Sequence, residues 1–397
     1  MKYFELKEIE MMKLIRIVVL FLSILLVFAS SGLAGPKPVG DYLVSEFQDE
    51  VSQGPIANDP WTALMSINLD GQGKGTYEDL YVSSGDKESG TFNYSVRVDG
   101  LLKMIPPAPD EDYFMPGAVS SDGKVFALAH TGRGERGISF GIKKPSGGSP
   151  PVVTNRPYLM AQFSDDVSNP GQPGQVANEP WASLSLITLN ANGTGTYDDL
   201  YASDGDTSDS GTFDYTLDAA GNLTITVTIP GEGSFSFHGI VSEDGSLFTL
   251  ADTLPNEPGI MVGIKKSSGG MSKANLKGKY LMADFDDEIE RTPEPVANEP
   301  WASLMEINLD GQGNGTFRDL YTSDNDPQLE SGSITYSVTP SGELTITHPG
   351  GTVHGIVSSD GNVFILANTI IDVPGITIGI KKSPMALPSL QMLLLED

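Results

Sequence analysis

Between Lys279 and Lys382, apolar and polar residues alternate through eight short runs: KYLMADF, WASLMEINL, GTFRDLYTS, SITYSVT, ELTIT, TVHGIVS, VFILAN and ITIGIKK. A period of two places successive side chains on opposite faces of a strand, and the Val, Ile, Thr, Tyr and Phe content suits a pleated surface. DGQGNG, PSG, PGG and SSDG separate the runs. Asp-Gly and Gly-rich pairs supply the positive backbone angles of tight hairpins, so neighbouring runs are expected to pair antiparallel. No window has helical periodicity.

The same pattern occurs three times. The copies span about 40–144, 157–266 and 278–382; each opens on a tyrosine strand (DYLVSEF, PYLMAQF, KYLMADF) and closes on GIKK. Residues 145–156 and 267–277 carry Ser, Gly, Pro and Asn and read as linkers. A run of eight hairpin-linked strands is a meander, and a meander disposes of its exposed edges best by closing. The predicted fold is therefore all-β, with three tandem repeats, each an eight-stranded antiparallel barrel. The alternative is a six-bladed propeller with two blades per repeat, which the dissimilar halves of each copy disfavour. In strand count and hairpin connection each copy resembles the small up-and-down barrels of the avidin and lipocalin type. That resemblance implies a closed meander and assigns no function. Each copy is also expected to fold alone, because its strands begin and end within it.

Residues 1–34 differ from the rest. Lys13 and Arg16 precede an apolar run from Ile17 to Ala29 and then SSGLAG, the order of a secretory signal peptide with cleavage after Ala34 and no membrane span left afterwards. Residues 383–397 form a C-terminal tail. The expected location is secreted, periplasmic or cell-surface. The chain has no cysteine, so its stability is expected from burial and hydrogen bonding rather than disulfides. With 24 Lys and Arg against 52 Asp and Glu, the formal charge is −28. Such a field repels phosphate backbones and excludes nucleic acid as a partner.

Patterns that suggest chemistry mostly dissolve when the copies are compared. GISFG (137–141) has the G-x-S-x-G form, but Ser139 aligns with Met261 and Thr377 in a terminal strand, not in the strand–turn–helix of a nucleophile elbow. GRGERG (132–137) lacks a βαβ setting and the other copies lack it. His238 and His354 share the HGIVS segment, whereas copy one has Pro116 there, so both read as strand residues and no catalytic residue is assigned. Asp204 with Asp206 and Asp324 with Asp326 stand two apart in turns, a spacing that can present oxygens to calcium; without a full twelve-residue loop, solvated turns are expected. No metal ligand and no cofactor is assigned, with calcium kept as a possibility.

One motif recurs with its aromatic intact. IANDPWTAL, VANEPWASL and VANEPWASL carry Trp61, Trp181 and Trp301, each behind an acid and a proline. Proline cannot donate to a ladder and belongs at a strand's first residue, so each tryptophan sits at a barrel end. It either plugs that end or, with Asp59, Glu179 and Glu299, forms a rim beside a ligand mouth. Three copies without one constant catalytic constellation predict a non-enzymatic protein acting in binding or surface structure, towards an unknown surface or small-molecule ligand. The alternatives are a small-molecule carrier that uses the barrel interiors and a calcium-dependent adhesive module.

Overall fold

The computed structural model describes residues 37–50, 59–106, 114–132, 134–154, 156–167, 178–229, 233–290, 297–323 and 329–383. The signal region, the C-terminal tail beyond Ser383, Asp324 and Asp326 lie outside the described residues.

Barrel 1 comprises β1 (Gly40–Glu50), β2 (Asp59–Leu69), β3 (Lys74–Val82), β4 (Ser89–Val96), β5 (Leu101–Ile105), β6 (Met115–Val119), β7 (Val125–Thr131) and β8 (Glu135–Lys143). Barrel 2 comprises β9 (Tyr158–Val167), β10 (Asn178–Leu189), β11 (Thr194–Ala202), β12 (Ser210–Leu217), β13 (Asn222–Ile229), β14 (Gly233–Val241), β15 (Leu247–Asp252) and β16 (Gly259–Lys265). Barrel 3 comprises β17 (Gly278–Glu290), β18 (Ala297–Leu309), β19 (Asn314–Thr322), β20 (Ser331–Val338), β21 (Glu343–His348), β22 (Gly351–Val357), β23 (Val363–Ile370) and β24 (Val373–Lys381). Every neighbouring pair is antiparallel, and in each copy the first strand also pairs with the eighth, as in Leu43 opposite Ile142. The copies are three closed barrels, not six blades.

The repeated residues explain the closure. Tyr42, Tyr158 and Tyr280 are fully buried, and their hydroxyls donate to the carbonyls of Gly123, Gly245 and Gly361, sealing one end of each barrel. Each tyrosine ring packs about 5 Å from a buried phenylalanine, Phe126, Phe248 or Phe364. The glycine of GIKK faces that phenylalanine: a Cβ at Gly141, Gly263 or Gly379 would lie 2.4, 2.2 or 2.1 Å from the ring. No side chain fits there, so the motif closes on glycine.

The barrels do not stand apart like beads. Along β1, Tyr42 and Val44 face the barrel interior, whereas Leu43 and Phe47 join a second core drawn from all three copies. The second strand of each barrel packs against the seventh strand of another, β2 on β15, β10 on β23 and β18 on β7, which closes a ring of three. At its centre Phe47, Phe163 and Phe285 are fully buried, with pairwise centroid distances of 4.9, 5.2 and 5.1 Å. Such tilted and edge-to-face pairs contribute roughly 0.5–1.5 kcal/mol each beyond area burial. An isolated copy would expose this face of the shared core.

The HGIVS histidines belong to the same ring. His238 of barrel 2 stacks on Tyr81 of barrel 1 at 4.0 Å, and His354 of barrel 3 stacks on Tyr201 of barrel 2 at 3.8 Å. In the third contact Tyr321 of barrel 3 meets Phe114 of barrel 1 edge-on, with the Lys103 ammonium over both rings. Copy one can dispense with a histidine because its partner aromatic is met by Phe114.

Candidate functional site: the open barrel ends

The end opposite the tyrosine seal is where the three barrels differ. Odd residues of β2 that follow Asp59 turn inward, so Trp61 lies over the interior core of barrel 1, partly buried. Trp181 and Trp301 hold the equivalent places at the starts of β10 and β18. Across the ladder from them stand Gln48, Ser164 and Asp286. One step further out the register pairs acid with acid: Glu50 with Asp59, Asp166 with Glu179, Glu288 with Glu299. Asp59, Glu179 and Glu299 are exposed at the rims. Like charges directly opposite are unfavourable in a sheet, so each mouth holds a repulsive pair that a cation would relieve. Burial, together with Asp59, pushes the Glu50 carboxyl up.

Beneath Trp61 the interior of barrel 1 is crossed by a buried polar chain. Ser139 Oγ donates to Glu46 at 2.9 Å and meets His130 Nε2 at 2.6 Å, while Gln48 donates to the other Glu46 oxygen at 2.5 Å. Ser, His and Glu in contact suggest a catalytic triad, but the connectivity is different. The carboxylate holds the hydroxyl rather than the imidazole Nδ1, which has no hydrogen-bond partner, and Ser139 and His130 are 0 % and 1 % exposed. Desolvation pushes Glu46 up to about 7 and His130 down to about 4. Burial therefore works against the charged form of each, and the buried serine and histidine are closed to a substrate. Barrel 3 uses Thr377 donating to Asp284 at 2.5 Å and Asn368 donating to Asp286 at 2.9 Å. Burial pushes Asp284 up to about 7.

Barrel 2 replaces this filling with space. Gln48, His130 and Ser139 become Ser164, Asp252 and Met261, and a cavity of about 310 Å³ runs from Met160 and Leu250 to Trp181 and Leu254. Its wall is mostly apolar and aromatic, including Phe213, Ile225, Phe235 and Phe237. Its polar groups include four carboxyls, of which Asp209 accepts from the Tyr197 hydroxyl at 3.3 Å. Asp199 accepts from Ser185 at 2.5 Å, Asp252 accepts from the Leu254 amide at 3.0 Å, and Glu257 accepts from the Trp181 indole. Desolvation raises all three, Asp199 to about 6 and Asp252 to about 8.

The residues singled out from sequence thus divide. The three tryptophans and the acids Asp59, Glu179 and Glu299 lie at matching mouths, and Trp181 lines the cavity of barrel 2. Asp204 Oδ1 accepts the Asp206 amide at 2.8 Å, and Asp206 Oδ1 accepts the Ser208 amide at 2.9 Å, so both carboxylates cap their own turn. Sequence reasoning passed over Asp199, Asp252 and Glu257. A detectable signal was a polar residue at an inward position of a strand whose neighbours are apolar, as in LFTLAD.

A second group of acids lies on the axis between the barrels. Asp49, Asp165 and Asp287 are fully buried, and each brings an oxygen within 4.8 Å of the others, a set that could hold a metal ion. Burial first, then the charges of Asp287 and Asp166, raise Asp165 well above the carboxylate range. Arg136, opposite Asp49 on β8, donates to the Pro300 carbonyl of barrel 3.

No protein-family model and no curated protein sequence matches the chain. Among solved structures it is similar to transferrin-binding protein B from Haemophilus parasuis at 9% identity, over 88% of this chain and 76% of that one, with a TM-score of 0.28. The same protein from serogroup B Neisseria meningitidis gives 9% identity over 87% and 77%, with a TM-score of 0.25. A protein of the DUF3598 family from Nostoc punctiforme, of unknown function, gives 10% over 57% and 96%, with a TM-score of 0.19. Scores of this size do not define a common fold, and no functional argument rests on them. No helix among the described residues is long and apolar enough to cross a membrane.

Proposed function

We propose that the chain is a secreted or envelope-exposed binding protein without catalytic activity, and that barrel 2 carries a small, largely apolar molecule. The observation that supports this reading is the cavity of about 310 Å³ under Trp181, walled by aromatic and aliphatic side chains with a few inward polar groups. That volume falls at the lower end of small-ligand pockets. Eight strands suffice either to fill an interior with side chains or to hold one small ligand, and the same strands do the former in barrel 1 through the Glu46–Ser139–His130 chain. The apolar segment before the first barrel supports export.

The test uses the full chain after removal of residues 1–34, with Trp61 and Trp301 changed to phenylalanine so that Trp181 alone reports. Propylbenzene is expected to shift Trp181 emission saturably and to raise the melting temperature, because a ligand bound only to the folded state stabilises it by mass action. No saturable change with propylbenzene, 2-phenylethylamine or 3-phenylpropionate would remove the carrier reading.

A further inference from the structure

The chemistry of the cavity wall narrows the ligand, and this step rests on the carrier reading above. We infer that barrel 2 selects an amphipathic cation: an aromatic or aliphatic body with one basic nitrogen, seated with the nitrogen against the wall carboxyls and the body against Trp181 and the phenylalanines.

The cavity wall includes four carboxyl groups, with Asp209 the fourth, and neither lysine nor arginine. An anionic ligand would enter a site with no positive partner. A neutral one would leave carboxyls to desolvate without compensation. An ammonium supplies the missing charge, and its N–H groups match acceptors that now have few donors: Asp199 takes Ser185, Asp252 takes a backbone amide, and Glu257 takes the Trp181 indole. The indole and the rings of Tyr197, Phe213 and Phe237 add faces over which a cation is attracted. The route in carries the same sign, because Asp166 and Glu179 face one another at the rim two residues from Ser164 and Trp181. A mouth of one charge raises the local concentration of the opposite ion.

The elevated carboxyl pKa values agree with this geometry. Burial raises Asp252 to about 8 and Asp199 to about 6, and an ammonium beside either carboxyl would pull it back down. Amine binding therefore releases protons, and it strengthens as pH rises from 6 towards 8.5 while the amine stays charged.

Three probes of one shape separate the possibilities in the Trp181-only protein: 2-phenylethylamine, propylbenzene and 3-phenylpropionate. The amine is expected to bind at least tenfold more tightly than propylbenzene at pH 8, with 3-phenylpropionate weakest. The amine's advantage is expected to fall about tenfold at pH 6. In the isosteric double variant Asp199→Asn with Asp252→Asn, shown folded by circular dichroism, the ratio of amine to propylbenzene affinity is expected to approach one. Equal binding of amine and propylbenzene by the unaltered protein, or a preference for the carboxylate, would overturn the cation assignment while leaving the carrier in place. Failure of all three probes would overturn both.

Discussion

Barrels 1 and 2 have the same strands, the same tyrosine seal and the same tryptophan at the mouth, yet one interior is crossed by side chains and the other is hollow. Four exchanges stand where the polar chain was: Glu46 to Gln162, Gln48 to Ser164, His130 to Asp252 and Ser139 to Met261. The comparison separates what builds a barrel from what is done with its inside. The tyrosine, phenylalanine and glycine of the sealed end are shared by the two copies, and the outward apolar positions of the first and eighth strands stay apolar, as at Phe47 and Phe163 or Phe140 and Val262, because the fold and the ring of three depend on them. Inward positions near the mouth are free to differ.

The largest effects are therefore expected outside both interiors. A fragment of residues 157–266 would expose Leu159, Phe163, Ile260 and Val262, all fully buried in the chain. It is expected to self-associate, and a monodisperse, cooperatively melting monomer in sedimentation and calorimetry would show instead that each barrel suffices alone. In the full chain, Phe163→Ala removes one member of the central aromatic trio. A loss of about 3–5 kcal/mol in urea unfolding is expected, as for other fully buried rings. Unfolding of barrel 2 by itself would break the idea of a common core.

Smaller effects distinguish the interiors through pH. Glu46 is raised to about 7 in the folded protein, above the ordinary value of 4.5. Its contribution is fully present below about pH 4.5 and is lost as pH rises through 7, by at most about 3 kcal/mol at 1.36 kcal/mol per unit. Asp252 acts in the same direction over a wider window, from about 4 up to 8. Melting temperature is thus expected to decline from pH 5 to pH 8.5. Glu46→Gln should make the decline shallower between about 4.5 and 7, and Asp252→Asn should make it shallower from about 4 up to 8 and end it near 7. A flat profile in the unaltered protein would mean that these carboxyls are not held from water as described.

The smallest effect is expected from calcium. Asp204 and Asp206 already cap their own turn, so a few millimolar calcium should move the melting temperature by under about 1 °C. A larger rise that disappears in Asp204→Asn with Asp206→Asn would restore the adhesive-module reading.

Much of the barrel was legible in sequence because hairpin signals and a two-residue period act locally. β20 shows it well: in SGSITYSV, Ile334 and Tyr336 point inward and their neighbours face water. The ring of barrels was not legible for a physical reason visible in the same copy. In β23, VFILAN is apolar on both faces, with Val363 and Ile365 in the shared core and Phe364 and Leu366 in the barrel, so alternation vanishes where a strand is buried on both sides. Continuous runs in the first and seventh strands, such as YLM and VFILA in barrel 3, were the available sign of a second covering surface. The hollow of barrel 2 was less visible still, since it depends on which side chains meet across a barrel, and no spacing along the chain encodes that. The tryptophans were placed at a mouth from the proline before them. The acids that line the cavity beneath come from β11, the segment before β12, β15 and the turn before β16, which only closure brings together.

The central trio of Phe47, Phe163 and Phe285 has a further meaning. Three like units around one axis would ordinarily be a homotrimer, in which every subunit carries the same sequence and any change is made three times over. Here the subunits are joined end to end, and symmetry no longer binds them. Barrels 1 and 3 can keep braced interiors and hold the assembly together while barrel 2 gives up its bracing for an opening. A true trimer altered as barrel 2 is altered would have hollowed all three interiors at once, with no sibling left to carry the cost in stability. Linking the copies into one chain is what allows a single interior to specialise.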